Sequence, residues 1–379
     1  MRQCRPYTDI RKKLIMTPDN ILNTATPSTS KASNSVNRRF TTAPMMEWSD
    51  SHCRQFWRHL TSDAVLYTEM VTTGAIIHGN NRERFLGYGK EEHPIALQLG
   101  GSNAKELAEC AKYAQEWGYD EVNLNVGCPS DRVQNNMIGA CLMGHPQLVA
   151  DGIKAMQDAV DIDVTVKHRI GIDNQDSYPE LVNFVGTIAK TGCKTFIVHA
   201  RKAILQGLSP KENRDVPPLK YDWVYQLKQD FPDLEILING GLNQLDQMQQ
   251  QLNHVDGVMV GREAYHNPYI MAQVDNAFYG REKSIPSRHK IVEDFMPYIE
   301  EQLSKDIYLS HITRHILGIF HGQPGARQFR RYISENAHKP GSGIEVLRTA
   351  LSKVPTEAEN EANRLEALVR RAAFDQEQA

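Results

Sequence analysis

The sequence predicts an α/β chain: a (β/α)8 barrel followed by an all-helical C-terminal region. Three observations predict it. Short apolar runs alternate with helix-like stretches from residue 40 onward. There are eight such runs, the number that closes a parallel barrel. After about residue 275 the runs stop while helical spacing continues. An open doubly wound sheet is the competing arrangement, but no Gly-x-Gly-x-x-Gly follows the first run, as its phosphate-binding turn would require.

The 379 residues exceed what a barrel of about 250 needs, so a second region is expected. The 40% hydrophobic and 23% charged residues are those of an ordinary globular protein. No stretch reaches the roughly 18 apolar residues of a membrane helix. The net charge of -3 excludes a uniformly basic nucleic-acid binder but leaves room for a local patch. Six scattered cysteines (Cys4, Cys53, Cys110, Cys128, Cys141 and Cys193) form no Cys-x-x-Cys pair. Neither a disulfide framework nor a metal site is expected, and a reducing cytoplasmic setting is.

Residues 1–37 are expected to be a disordered extension, because "NTATPSTSKASNSVN" offers almost nothing to bury. The basic run at 11–13 is not followed by the apolar core of a secretory signal. The barrel is expected over 38–275. Its strands are "FTTAPM" (40–45), "VLYTEM" (65–70), "IALQLG" (95–100), "EVNLNVGC" (121–128), "VTVKHR" (164–169), "TFIVHAR" (195–201), "EILING" (235–240) and "GVMVGR" (257–262). "NAKELAECAKYAQEWG" and "PQLVADGIKAMQDAV" are two of the intervening helices. Over 285–355, "EDFMPYIEEQL", "HITRHILGIF" and "GIEVLRTALSKV" carry apolar residues at helical spacing, with Pro297 expected to kink the first helix or begin it. A charged tail, 356–379, has little to pack.

Active sites of such barrels lie at the C-terminal ends of the strands. Those ends carry Met45 and Met46, Glu69, Gln98, Asn125 and Cys128, Lys167 and Arg169, His199 and Arg201, Asn239, then Gly261 and Arg262. Their convergence on one mouth is a stronger signal than any single residue. Asn239-Gly240-Gly241 and Gly261-Arg262 close the last two strands, where barrels commonly hold a phosphate through backbone N–H groups and a forked guanidinium. Taken singly, these glycines could merely turn the chain. Lys167 lies in an apolar strand, so it needs a partner: a carboxylate such as Glu69, or an electron-rich ring or phosphate. His199 could be structural, and Gln98 offers a donor and an acceptor suited to the edge of a heterocycle. Cys128, in a Gly-Cys-Pro turn at the mouth, could be a nucleophile or a proton donor. No Cys-His-Asn arrangement can be placed, which favours the donor. Cys141 is expected to pack.

The segments "APMMEWSDSHCR", "LYTEMVTTGAIIHGN", "HPIALQLGGS", "LNVGCPSDRVQ", "IVHARKAILQGLSPKENRDVPPL", "NGG" and "VDGVMVGREAYHNP" resemble the tRNA-dihydrouridine synthases, and most the A-type bacterial branch acting on D-loop uridines. The resemblance spans about residues 38–350. It implies an FMN-binding TIM barrel, a helical domain that grips tRNA, and NADPH as reductant. It implies that FMN touches Pro44, Met45, Met46, Gln98, Lys167 and His199. The FMN phosphate would lie against Asn239, Gly240, Gly241, Gly261 and Arg262. Cys128 matches the family's proton donor, while Asn125, Lys211, Arg214, Arg327 and Arg330 match positions that orient tRNA.

The chain's own charges fit an RNA surface. From 311 to 340, Arg314, Arg327, Arg330, Arg331 and Lys339 face one acidic residue, Glu335. A charge run is often only a solvated face, but "GARQFRRY" joins arginines to aromatics that can stack. Two alternatives stand beside this reading. One is an FMN-dependent barrel oxidoreductase acting on a small molecule, against which the basic helical region and the "SPKENR" loop argue. The other is a non-catalytic tRNA-binding folding factor. A cytoplasmic monomer without a metal is expected.

Overall fold

The computed structural model describes residues 36–130 and 137–377. The expected N-terminal extension, except for Val36 and Asn37, lies outside the described residues.

Each apolar run forms a strand: β1 Phe40–Thr42, β2 Leu66–Thr72, β3 Ile95–Gly100, β4 Glu121–Val126, β5 Asp163–Arg169, β6 Thr195–His199, β7 Glu235–Asn239 and β8 Gly257–Val260. All pair in parallel, in the order β1-β8-β7-β6-β5-β4-β3-β2. A parallel bridge between Thr41 and Val65 joins the two ends of the sheet, with Thr42 N donating to Val65 O at 2.9 Å. The cylinder is therefore closed, a TIM barrel.

The pleat sends alternate side chains to opposite faces. Outward residues such as Val122, Leu124, Val166, Phe196 and Ile238 join the main core between strands and helices. The inward apolar set is small: Ala43, Val65, Tyr67, Ala96, Ile197, Leu237 and Met259. The rest of the interior is polar. It includes Glu121, Asn123, Thr165 and Gln98, each no more than 1% exposed.

Helix Ala104–Glu116 shows how the outer layer forms. The Asn103 side chain caps it by accepting from Lys105 N and Glu106 N, a cap worth about 1 kcal/mol. Leu107, Cys110, Ala111 and Ala114 form its buried stripe. Pro146 opens the neighbouring helix, Pro146–Ala159, at a position where its missing N–H costs nothing.

Helices Arg288–Ser304, Leu309–Thr313, Ala326–Asn336 and Glu345–Leu351 follow the barrel, and the tail forms a helix over Glu357–Glu377. One expectation is narrowed and one corrected here. Pro297 does not begin its helix; it lies inside Arg288–Ser304, between buried Met296 and Ile299. Of "HITRHILGIF", only the part up to Thr313 is regular helix. Beyond it the chain tightens into three-residue turns, with Ile319 N donating to Ile316 O at 3.0 Å. Gly318 lies against the His266 carbonyl in this stretch, where a Cβ would collide. Ile312, Ile316 and Ile319 remain buried, so the apolar period survives without the helix.

This region packs on the first barrel helix, Ser51–Arg58. Phe56 meets Phe295 with ring centroids 5.2 Å apart, and His52 Nδ1 lies 2.7 Å from the Tyr298 hydroxyl. Asp50 caps that helix through Cys53 N and also bonds Arg314 and His315.

Candidate active site

Strand register brings the inward, C-terminal residues to one level. Asn125 pairs with Lys167, Arg169 with His199, and His199 with Asn239. Lys167 Nζ donates to Asn239 Oδ1 at 3.1 Å, and Asn239 Nδ2 donates to Met259 O at 2.8 Å. The partner of Lys167 is thus an amide oxygen and not Glu69, whose carboxylate instead accepts from Glu47 N. Burial, reinforced by the Arg169 guanidinium, brings the Lys167 ammonium down to about 7.

Arg169 is 4% exposed. Its Nε donates to Gly127 O at 3.0 Å, and its Nη1 to Lys202 O and Asn213 O at 3.0 and 2.8 Å. One guanidinium therefore ties the turn after β4 to the loop after β6. Burial lowers it to about 10, with no carboxylate among the described residues to offset the cost. Asn213 is wholly buried and shapes that loop by accepting from Ile204 N and donating to Ile204 O.

His199 is 9% exposed, and its Nδ1 has no partner among the described residues. Burial, then Arg169 and Lys167, pushes it well below the usual histidine range, so the ring is neutral. It backs onto Gly240, where a Cβ would stand 3.0 Å from the ring. Gly240 and Gly241 have φ of 116° and 71°, in the region that favours glycine. Gly240 is packed beneath His199 and Leu219, and the Tyr221 hydroxyl donates to its carbonyl.

Arg262 follows Gly261 at the end of β8 and pairs with Asp215 at 2.8 Å, both side chains more than 40% exposed. Such a pair is worth about 0–1 kcal/mol, so another anion can replace it at little cost. Arg201 and Arg214 stand nearby, each with a buried Nε that has no partner among the described residues. Met45 places its sulfur beside Gly261, Pro44 is half-buried, and Met46 is exposed.

Cys128 is half-buried at the start of the turn. Its sulfur lies within electrostatic reach of Lys167, Arg169 and Arg214. Asn125 Oδ1 accepts from Cys128 N at 2.9 Å and from Gly127 N at 3.1 Å, and Ala140 N donates to Cys128 O at 2.8 Å. Gln98 directs its carboxamide to Asn123 and Asn125, both at 2.8 Å.

The structure therefore gathers the strand-end residues into one mouth. Lys211 is exposed on the loop after β6. Arg327 and Arg330 stand apart from the rim, exposed on helix Ala326–Asn336, without an ion pair among the described residues; Arg331 pairs with Glu335 at 2.7 Å. The clamping roles of Arg169 and Asn213 were not anticipated. For Arg169 the available signal was a second cation two residues beyond Lys167, on the same face of one strand.

The sequence profile described as Dihydrouridine synthase (Dus) matches residues 41–355. A protein of Vibrio parahaemolyticus named tRNA-dihydrouridine(20/20a) synthase is 62% identical over 84% of this chain and 98% of its own length. Proteins of the same name from Pseudomonas syringae and Escherichia coli are 61% and 60% identical over 83% of this chain, covering 94% and 91% of theirs. Among solved structures, an old yellow enzyme homologue from Zymomonas mobilis aligns over 66% of this chain and 91% of its own, at 12% identity and a TM-score of 0.48; that likeness adds nothing to the sheet order described above. On the profile and the identities, the chain belongs to the dihydrouridine synthase family.

Proposed function

We propose that this chain is a flavin-dependent tRNA-dihydrouridine synthase. It reduces the C5–C6 double bond of D-loop uridines, at the positions 20 and 20a that its relatives' name carries. FMN and NADPH serve the reduction, and Cys128 donates the proton to C5. The carrying observation is that the mouth of a family member joins a thiol to a half-buried Lys167 and a buried Arg169 that, among the described residues, face no carboxylate.

The residues fit a flavin. Among the described residues Lys167 has only an amide oxygen for a partner and His199 Nδ1 has none, and the β7 turn holds two glycines at positive φ. Pro44, Met45, Met46, Gln98, Lys167 and His199 would hold the ring system. Asn239, Gly240, Gly241, Gly261 and Arg262 would hold the phosphate, Arg262 leaving Asp215 for it. When bound there, FMN would supply hydride chemistry toward C6 of uracil, with NADPH as the reductant.

The chain's own residues do the rest. The S–H bond of Cys128 breaks as a C–H bond forms at C5, and the thiolate left behind is stabilised by Lys167, Arg169 and Arg214. An anionic ring beside Lys167 would keep its ammonium protonated. The target base must leave the folded tRNA to reach this mouth. Asn125, Lys211 and Arg214 would orient it at the rim, while Arg327 and Arg330 meet phosphates from the helical region. A tRNA substrate would place the protein in the cytoplasm.

Cys128→Ala tests the reading through dihydrouridine formation in tRNA from a strain lacking the modification. Formation should fall by about 10²–10⁴-fold, the range for a lost proton donor, while tRNA affinity and flavin content stay near native. Unchanged modification would remove Cys128 from the mechanism.

A further inference from the structure

The barrel interior holds a file of hydrogen bonds whose lower members, Glu121, Thr165 and Asn123, have no part in the reaction above. It starts at Glu121, wholly buried, whose carboxylate can only accept. Oε2 takes Arg38 Nε at 2.6 Å; Oε1 takes the Tyr67 hydroxyl and, at 2.5 Å, the Thr165 hydroxyl. With its one O–H directed to Glu121, Thr165 can only accept from Asn123, and it receives Asn123 Nδ2 at 2.8 Å. The Asn123 oxygen must then face the other way, where it accepts from Gln98 Nε2 at 2.8 Å. The Gln98 oxygen accepts from Asn125 Nδ2 at 2.8 Å. Asn125 is left with its oxygen toward the mouth, where it receives Gly127 N and Cys128 N.

Each amide orientation is dictated by the one beneath it. An amide turned over anywhere in the file would set donor against donor in a buried site, a costly mismatch. The direction set at Glu121 thus reaches the Cys128 turn, and Arg169 pins the same turn from its other side through Gly127 O.

We propose that Glu121, Thr165 and Asn123 are positioning residues for Cys128: the carboxylate, held by Arg38, sets the polarity of the file so that an oxygen meets the Gly127–Cys128 backbone and fixes the thiol. This rests on the reading of Cys128 as proton donor. None of the three residues touches the mouth; each acts through Asn125.

Glu121→Gln is the obvious variant, but it leaves Arg38 short of a buried anion and can unfold the barrel. Thr165→Val keeps the shape and removes only the hydroxyl. The flavin-loaded variant would be assayed for kcat and KM with tRNA, flavin content by visible absorbance, and Cys128 alkylation by iodoacetamide read by peptide mass. Loss of the file's polarity should lower kcat and speed Cys128 alkylation, each by about tenfold, with KM and flavin content unchanged. Thr165→Ser should restore both values. Native alkylation in Thr165→Val, with or without a change in kcat, would overturn the proposal, as would failure of Thr165→Ser to restore. If Cys128→Ala keeps its activity, the proton-donor reading fails, while the alkylation rates still report whether the file holds the turn.

Discussion

The two ends of the barrel interior treat charge in opposite ways. At the N-terminal end, Arg38 is 4% exposed and meets Glu121, Asp163 and Glu235 at 2.6, 2.5 and 3.1 Å. Burial alone would lower this guanidinium, yet these carboxylates raise it above its ordinary value. At the mouth, Lys167 and Arg169 are lowered by burial with no carboxylate opposing, and Arg201 and Arg214 share Asp215 with Arg262. At one end the buried cation is met by carboxylates; at the other, among the described residues, Lys167 and Arg169 are not. The first arrangement serves stability, and the second is the one the proposed flavin site would use.

Arg38→Met should break this contrast most severely. It leaves Glu121 buried without its cation, which costs about 3–5 kcal/mol. Arg262→Met at the mouth should shift stability by no more than about 1 kcal/mol, since its pair is exposed. Denaturant midpoints of the two variants compare the ends directly, and equal losses would refute the distinction.

Much of this was legible in the sequence. Ile95–Gly100 coincides with its predicted run, and the other strands differ from theirs by a few residues at the ends. β-Branched runs between amphipathic stretches mark strands of a parallel barrel wherever they occur. The converging strand ends followed from pleat and topology alone. The interior file was harder to see. "EVNLNV" alternates Glu121, Asn123 and Asn125 with apolar residues, a pattern that ordinarily marks a strand with one face in water. In a closed barrel that face is inside, and which donors meet which acceptors there depends on register across four strands. Lys167 shows the same limit. Its need for a partner followed from burial, but Glu69 was the wrong candidate, because only register places Asn239 beside it. The turns after Thr313 bring Gly318 against the carbonyl of His266, a contact that local spacing cannot reveal.

A smaller effect sharpens the comparison through pH. The unfolded lysine titrates near 10.4, whereas Lys167 in the fold titrates at about 7. Below 7 the group is charged in both states, and its burial destabilises the fold. Between about 7 and 10.4 the unfolded chain binds more protons, so folding stability rises with pH. Flavin-free native protein should therefore gain stability relative to Lys167→Met across this window, as thermal melts can record. Parallel pH profiles would mean that Lys167 is solvated.

The most direct measurement is the affinity of flavin-free protein for FMN and for riboflavin, which differ only by the phosphate. Arg262, whose exposed pair with Asp215 another anion can replace, and the glycine turn after β7 predict FMN binding at least about tenfold tighter, the worth of roughly one charge-assisted bond. Equal affinity for the two, or no uptake of either, would contradict a mouth built for a phosphorylated flavin.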